Sequence, residues 1–495
     1  MLSDGIGTSS HCHGGSYVKS QIESFGKLNF GSAELGDNRR TRRLVKSADL
    51  MRRRPGGSLP QKFRAPKDLR AFYRLMNCPE VTHEAVLAAH RDVVLAKLSQ
   101  IESTVLILHD ATELDYTTHA SLDNLGQIGN GNHRGYIAQN SLAVNPETRE
   151  VLGLCNQVLH RRAKVRKNET TAQKRRRKTR ESLLWLKGVA PLTANEKLVD
   201  VCDQGADTFE FLEHELHSGR RFVIRAAYDR GILIGHGDQA SCDTSNLRTY
   251  AAQLPAVGNW TLSVTSKVTK KSPKKKGRKR TVKRAARQAN LAVSFAAVQV
   301  KPPLEKNGNH GNEPLPMWVV RVWEVDPPVG EERLEWFLLT NEPVITFEGA
   351  YRLVGWYECR WIIEEYHKGM KTGCKIESPQ FNEEDALQPT IALISIVTLT
   401  LLAMRDASRR PDAKKRKATE IISKDYVAVM SAWRHGDIKP DWSIHEFYYA
   451  LARLGGHQNR KNDHPPGWQV LWEGWKELQA MLCGYDAMKT IKKCG

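Results

Sequence analysis

The chain has 495 residues, of which 40% are hydrophobic, 7% aromatic and 26% charged. That globular mixture excludes wholesale disorder, and at roughly 100–200 residues per domain the length suggests two to four domains. With 75 Lys and Arg against 55 Asp and Glu the net charge is +20, which points to a polyanionic partner, nucleic acid first and an anionic membrane surface second.

From the N-terminus, residues 1–20 read as a loose tail. It has no basic region followed by an apolar core, so no secretory signal is expected, and His11-Cys12-His13 within it is assigned no role. The helical pattern starts at Asp37, a good N-cap. Leu44, Val45, Ala48 and Met51 form one apolar stripe, while Arg39, Arg40 and Arg43 belong to a basic face suited to DNA. Pro55-Gly56-Gly57 breaks the pattern, and further helices are predicted around Asp68–Met76 and Thr82–Lys97.

The middle of the chain changes character. Thr104–His109 is an apolar, β-branched run leading into Asp110. Ser141–Val144 and Val151–Leu154 flank a hairpin signal, Asn145-Pro146-Glu147-Thr148. Glu181–Val189 reads as a helix, Leu198–Cys202 as a strand ending at Asp203, Asp207 as the cap of a following helix with Glu210 three residues on, and Phe222–Ala226 as a fifth strand. The order is β-β-β-α-β-α-β. Further β-like runs follow at Trp260–Val264, Leu291–Val300, Trp318–Val325 and Trp336–Thr340, and then one long helix beginning near Phe347. Residues of about 230–345 thus read as a β-rich insertion ahead of the last helix of an α/β domain.

The positive charge is concentrated. Residues 161–180 carry +10 and residues 267–287 carry +12, so the rest of the chain sums to −2. Such runs repel themselves too strongly to pack as core and are expected to order on phosphate. The nine cysteines are scattered with no CxxC pair, against a disulfide framework or a thiolate zinc site, and a reduced, cytoplasmic protein is expected. Thr390–Met404, the longest apolar run, makes a helix of roughly 22 Å, short of the roughly 30 Å hydrocarbon core, and is expected to be a buried core helix.

One helix carries chemistry. At about 100° per residue, Tyr357, Arg360, Glu364, Lys368 and Lys371 fall within an arc of about 80°. A carboxylate flanked by three cations and a phenol is either a site or an i,i+4 salt-bridge ladder. Asp110 and Asp203 favour the site. Two aspartates at strand ends and Glu364 on a later helix form an all-oxygen donor set for a pair of Mg²⁺ ions that activate an attacking oxygen and steady a leaving one. Either aspartate alone more often reads as a helix or turn cap, and it is the combination that points to a site.

Tyr357–Lys371 has the spacing Tyr-x-x-Arg-x-x-x-Glu-x-x-x-x-x-x-Lys, and FGSAELGDNRRTRRLV near residue 30, VCDQGAD at 201–207, RFVIRA at 221–226, EWFLLTNEPV at 335–344 and RWIIEEYHKGMKTG at 360–373 accompany it in order. In these segments the chain resembles bacterial DDE cut-and-paste transposases of the insertion-sequence-four family. The resemblance implies an α/β fold: a ribonuclease-H-like catalytic core over 91–407, interrupted by the β insertion. A helical domain at 1–90 would bind transposon ends and a helical domain at 408–495 would mediate dimerisation. It further implies a homodimer, working in a synaptic complex on the nucleoid, that cleaves transposon ends through a hairpin intermediate and joins the 3′ ends to target DNA. Asp110, Asp203 and Glu364 would bind two Mg²⁺ ions, replaceable by Mn²⁺. Tyr357, Arg360, Lys368 and Lys371 would hold end phosphates, Arg225 would brace the hairpin, and Trp336 would pack near an extruded base, with Trp361 as a second candidate. The rival readings are a nuclease without strand transfer and a catalytically silent DNA-binding repressor of transposition. The family's usual residues after the second aspartate are replaced here by Gln204-Gly205.

Overall fold

A computed structural model describes residues 24–163, 168–235, 243–264, 266–271, 280–304, 309–439, 441–460, 463 and 465–494. The tail with His11-Cys12-His13 and residues 164–167 and 272–279 of the two basic runs lie outside them.

The N-terminal region is helical: α1 (Phe25–Phe30), α2 (Asn38–Arg53), α3 (Leu59–Phe63), α4 (Pro66–Met76) and α5 (His83–Ser99). Asp37 caps α2 by accepting from the Arg39 amide at 2.7 Å, and Leu44, Ala48 and Met51 are fully buried along one stripe. Thr82 caps α5 in the same way.

The centre is one twelve-stranded mixed sheet. Its first strands are β1 (Val105–Asp115), β2 (Gly126–Gln127), β3 (Arg134–Val144) and β4 (Val151–His160). The helices α6 (Thr171–Arg176) and α7 (Leu183–Val189) precede β5 (Leu198–Cys202), and α8 (Phe209–His217) precedes β6 (Arg221–Arg225). β1 is antiparallel to β3, β3 antiparallel to β4, and β1, β5 and β6 run parallel side by side. Val105–Leu108 is buried on both faces because β1 lies in the interior of the sheet.

Beyond β6 come β7 (Gly231–Ile234), β8 (Thr244–Asn246), α9 (Leu247–Gln253) and β9 (Gly258–Val264). A separate hairpin of β10 (Lys267–Lys271) and β11 (Arg280–Arg284) is followed by β12 (Arg287–Val300), β13 (Leu315–Glu324) and β14 (Glu335–Thr340). β14 returns to pair with β6, with Leu338 opposite Arg225, so these strands extend the central sheet. The chain closes with α10 (Phe347–Cys359), α11 (Trp361–Lys368), α12 (Glu384–Arg409), α13 (Lys424–His435), α14 (Ile444–Leu454) and α15 (Trp468–Cys494).

α12 is the one helix among the described residues long and apolar enough to cross a membrane, and 83% of its most apolar window is buried within the protein, as a core helix requires. It packs against β4 and the N-terminal helices α2, α4 and α5. The C-terminal helices also reach the N-terminal region: the Gln479 amide donates to the Arg53 carbonyl at 3.3 Å, and the Tyr426 hydroxyl donates to the same oxygen. Six cysteines among the described residues are free thiols.

Four expectations are corrected. The single long helix is two, bent at Arg360, whose amide donates to the Tyr357 carbonyl three residues back rather than four, and a π turn over Gly369–Gly373 follows. Asp110 lies inside β1, because the alternating stretch after it continues to pair with β3 as far as Asp115. Thr208, not Asp207, caps α8. Asp207 is fully buried and accepts from the Ala227 and Tyr228 amides at 2.7 and 3.1 Å and from Arg230 Nε at 2.9 Å. Finally, the 161–180 run is partly folded, with some of its cations paired: Arg162 with Glu181 and Arg180 with Glu210 from outside the run, and Arg177 with Glu169 within it.

Candidate active site

Asp110 on β1 and Asp203 at the end of β5 come from adjacent parallel strands, where His109 lies opposite Cys202. Glu364 comes from α11, which packs against β1. Between Asp110 and Glu364 sits Arg360: its guanidinium donates to Asp110 Oδ2 at 3.1 Å and to Glu364 Oε1 at 2.8 Å. The two carboxylates therefore lie one guanidinium apart. Burial works against the Arg360 charge, but the Glu364 bond and the neighbouring Tyr357 and Asp110 hold its titration above the ordinary range.

Asp110 is the electrostatic centre. Burial pushes its carboxyl up to about 7, the nearby Asp203 adds to the rise, and Arg360 opposes it; Glu364 contributes in the same direction as Asp203. Asp203 accepts from the Gly205 amide at 2.7 Å, so the Gln204-Gly205 substitution leaves its anchoring to the backbone. A Cβ at Gly205 would stand 2.9 Å from the Trp185 ring and 3.0 Å from Asp203 Oδ1.

The cations and aromatics form a cleft of about 290 Å³ beside the acids, lined by Arg225, Trp336, Leu338, Tyr357, Arg360 and Trp361. Burial raises the Tyr357 phenol, against the pull of Arg360 and Arg225. Trp361 is 51% exposed, so it is not a core residue, and the Lys368 ammonium stands 5.2 Å from its ring centre. Lys371 lies on the π turn, whose wider winding takes it off the arc drawn for an α-helix.

On α2 the expected DNA-facing arginines differ. Arg39 is 85% exposed and paired with Asp37 at 3.3 Å. Arg40 is held by Glu80 at 2.9 Å and Arg43 by Asp68 at 2.9 Å. Glu113, Asp115 and Glu365, which the sequence places near the site, have other partners: Arg162, His133 and Arg405 respectively. The reading from sequence missed a buried network beneath β1, where Asp200 accepts from His109 Nε2 at 2.7 Å and from Arg220 Nε at 2.8 Å. Its only signal was an acid at an apolar strand position. It also missed the role of Arg360 as a bridge.

Among the described residues no three His, Cys, Asp or Glu side chains converge closely enough to grip one metal ion. The donor set is nonetheless all carboxylate oxygen, the chemistry a hard divalent cation takes, and the guanidinium stands where those acids attract positive charge.

Residues 22–81 match the family described as transposase DNA-binding. Among solved structures, the cryo-EM structure of a piggyBac transposase synaptic complex with hairpin DNA aligns with 87% of this chain and 78% of that chain, at 10% identity and a TM-score of 0.34. The helical segment that ends just before α5 is therefore similar to the DNA-binding module of transposases.

Proposed function

We propose that this protein is a DNA transposase of the DDE type, in which α1–α4 bind the transposon ends and Asp110, Asp203 and Glu364 form the catalytic centre. One observation carries the reading: Arg360 bridges Asp110 of β1 and Glu364 of α11, with Asp203 after β5 near enough to raise the Asp110 titration, in a chain whose residues 22–81 match a transposase DNA-binding family. The strand order β4-β3-β1-β5-β6, antiparallel on one side of β1 and parallel on the other, supports a ribonuclease-H-like core, and the Tyr357–Lys371 spacing supports membership of the insertion-sequence-four family.

Magnesium held by Asp110, Asp203 and Glu364 would supply a lowered pKa for the attacking water or 3′-hydroxyl and charge neutralisation at the scissile phosphate. The chain's own groups do the rest. Arg360 leaves its bridge to take a phosphate oxygen, for which its planar fork is suited, and Arg225, Lys368 and Lys371 hold the adjoining backbone. Trp336 and Trp361 offer faces to an unstacked base, which recovers about 1–3 kcal/mol of the cost of extruding it. The reaction runs through a hairpin, in a homodimer, on cytoplasmic nucleoid DNA.

The test uses a plasmid carrying the DNA segments that flank the reading frame on both sides, with Mg²⁺ and a target plasmid. Excision and joined products are expected from the wild type. Asp203→Ala and Glu364→Ala are expected to retain a gel shift and lose cleavage. Cleavage without joining would identify a nuclease, binding without cleavage a repressor, and cleavage retained by either variant would overturn the assignment.

A further inference from the structure

A chain of buried amides and imidazoles runs behind the acids. The His83 ring, at the first turn of α5, meets Gln157 Oε1 at 3.0 Å. The Gln157 amide donates to Asn140 Oδ1 at 2.8 Å and to Ser395 Oγ on α12 at 2.9 Å. The Asn140 amide lies 3.1 Å from His367 Nε2 on α11. Asn140, Gln157 and Ser395 are almost completely buried and His367 is 8% exposed, so the bonds among these four are not readily exchanged for water.

The donors and acceptors fit in one direction only. His83 Nε2–H gives to Gln157, Gln157 gives to Asn140, and Asn140 gives to an unprotonated His367 Nε2. The His367 ring must be neutral to accept, and burial drives it down to about 3; burial likewise drives His83 down to about 4. The two ends of the last bond are placed at the acids. Asn140 is the β3 residue directly opposite Asp110, and His367 follows Glu364 by three residues, nearly one turn of α11.

We propose that His367, accepting from Asn140, is a positioning residue that fixes the seat of α11 on the sheet and hence the reach of Glu364 toward Asp110. The Gln157 hub extends this support to α5, directly after the segment that matches a DNA-binding module. The role in cleavage rests on the proposed function; the role in seating α11 does not.

His367→Leu removes the acceptor, His367→Asn withdraws it, and His367→Gln restores an acceptor near the original Nε2. In single-turnover cleavage of the flanking DNA the Leu variant is expected to be about 100-fold slower, the cost of a misplacement near 1 Å, with DNA affinity unchanged. Gln should recover most of the rate and Asn should not. Asn140→Leu should match His367→Leu, and the double variant should be no slower than either. Where the Leu variants do not fold, the Gln and Asn pair carries the test. Equal rates for Gln and Asn, or a fully additive double variant, would overturn the inference. Amide hydrogen exchange over 361–368 gives a second readout, expected to be faster in the Asn than in the Gln variant. Equal exchange overturns the inference whatever the activity, whereas an inert wild type with the expected exchange overturns only the transposase reading.

Discussion

The raised titration of Asp110 gives a quantitative prediction about the cost of the site. An unfolded chain ionises this aspartate near 3.8, and the folded protein does so only at about 7. Between those values the folded state holds a proton that the unfolded state has released, so stability falls as pH rises through this window and the full penalty applies above it. At about 1.4 kcal/mol for each pH unit by which the titration moves, the penalty is about 4 kcal/mol. Asp110→Asn removes the ionisation while keeping an oxygen for Arg360. The variant is therefore expected to gain up to about 4 kcal/mol over the wild type near pH 8, to gain nothing near pH 3, and to lose cleavage. Urea denaturation of both proteins across this range measures it. Parallel stability curves for the two would refute the account, because Asp110 would then titrate alike folded and unfolded.

Other measurements test other parts of the structure. Glu215 is fully buried beside Asp200 and Arg220, and burial, with the charge of Asp200, pushes its carboxyl well above the usual carboxylate range. Glu215→Gln should then change stability by less than about 1 kcal/mol, while Arg220→Met, which leaves buried Asp200 short of a cation, should cost about 3–5 kcal/mol in the same denaturation assay. Arg39→Ala should weaken binding to the transposon end without moving the melting temperature, since its side chain is 85% exposed; an unchanged gel-shift affinity would place DNA on another face. If the basic segments touch about six phosphates, log K should fall against log salt with a slope near −5, and a slope near −1 would exclude that role.

Local signals in the sequence were faithful wherever a single element determines its own shape. Asp37 and Thr82 cap the helices they were expected to start, since a cap needs only its own side chain and the amides two or three residues on. The apolar runs at 198–202, 291–300 and 336–340 fall within β5, β12 and β14. What stayed hidden depends on partners distant in sequence. The bend at Arg360 accompanies a guanidinium that reaches Asp110, 250 residues away, and helical periodicity contains no trace of that. Asp207 looked like a cap because the test for one is local; its real partner, Arg230, lies 23 residues on. The run at 161–180 looked unfoldable because charge was counted along the chain, whereas Glu210 reaches it from outside. That one arginine stands between Asp110 and Glu364 could not be told from the residue types or positions of the acids.

The seam between β6 and β14 bears on how far the chain can be trimmed. Leu338, Leu339 and Thr340 are zipped to Arg225, Ile224 and Val223 respectively. The Thr340 hydroxyl donates to the Phe222 carbonyl at 2.6 Å, and Arg221 clasps Glu342 across the join at 2.6 Å. An engineer seeking a minimal enzyme by excising 230–345 would strip the neighbour from a strand one place away from Asp203. The resulting bare edge, flanked by Val223 and Ile224, invites pairing with a second molecule, so the shortened product should precipitate before its chemistry can be assayed.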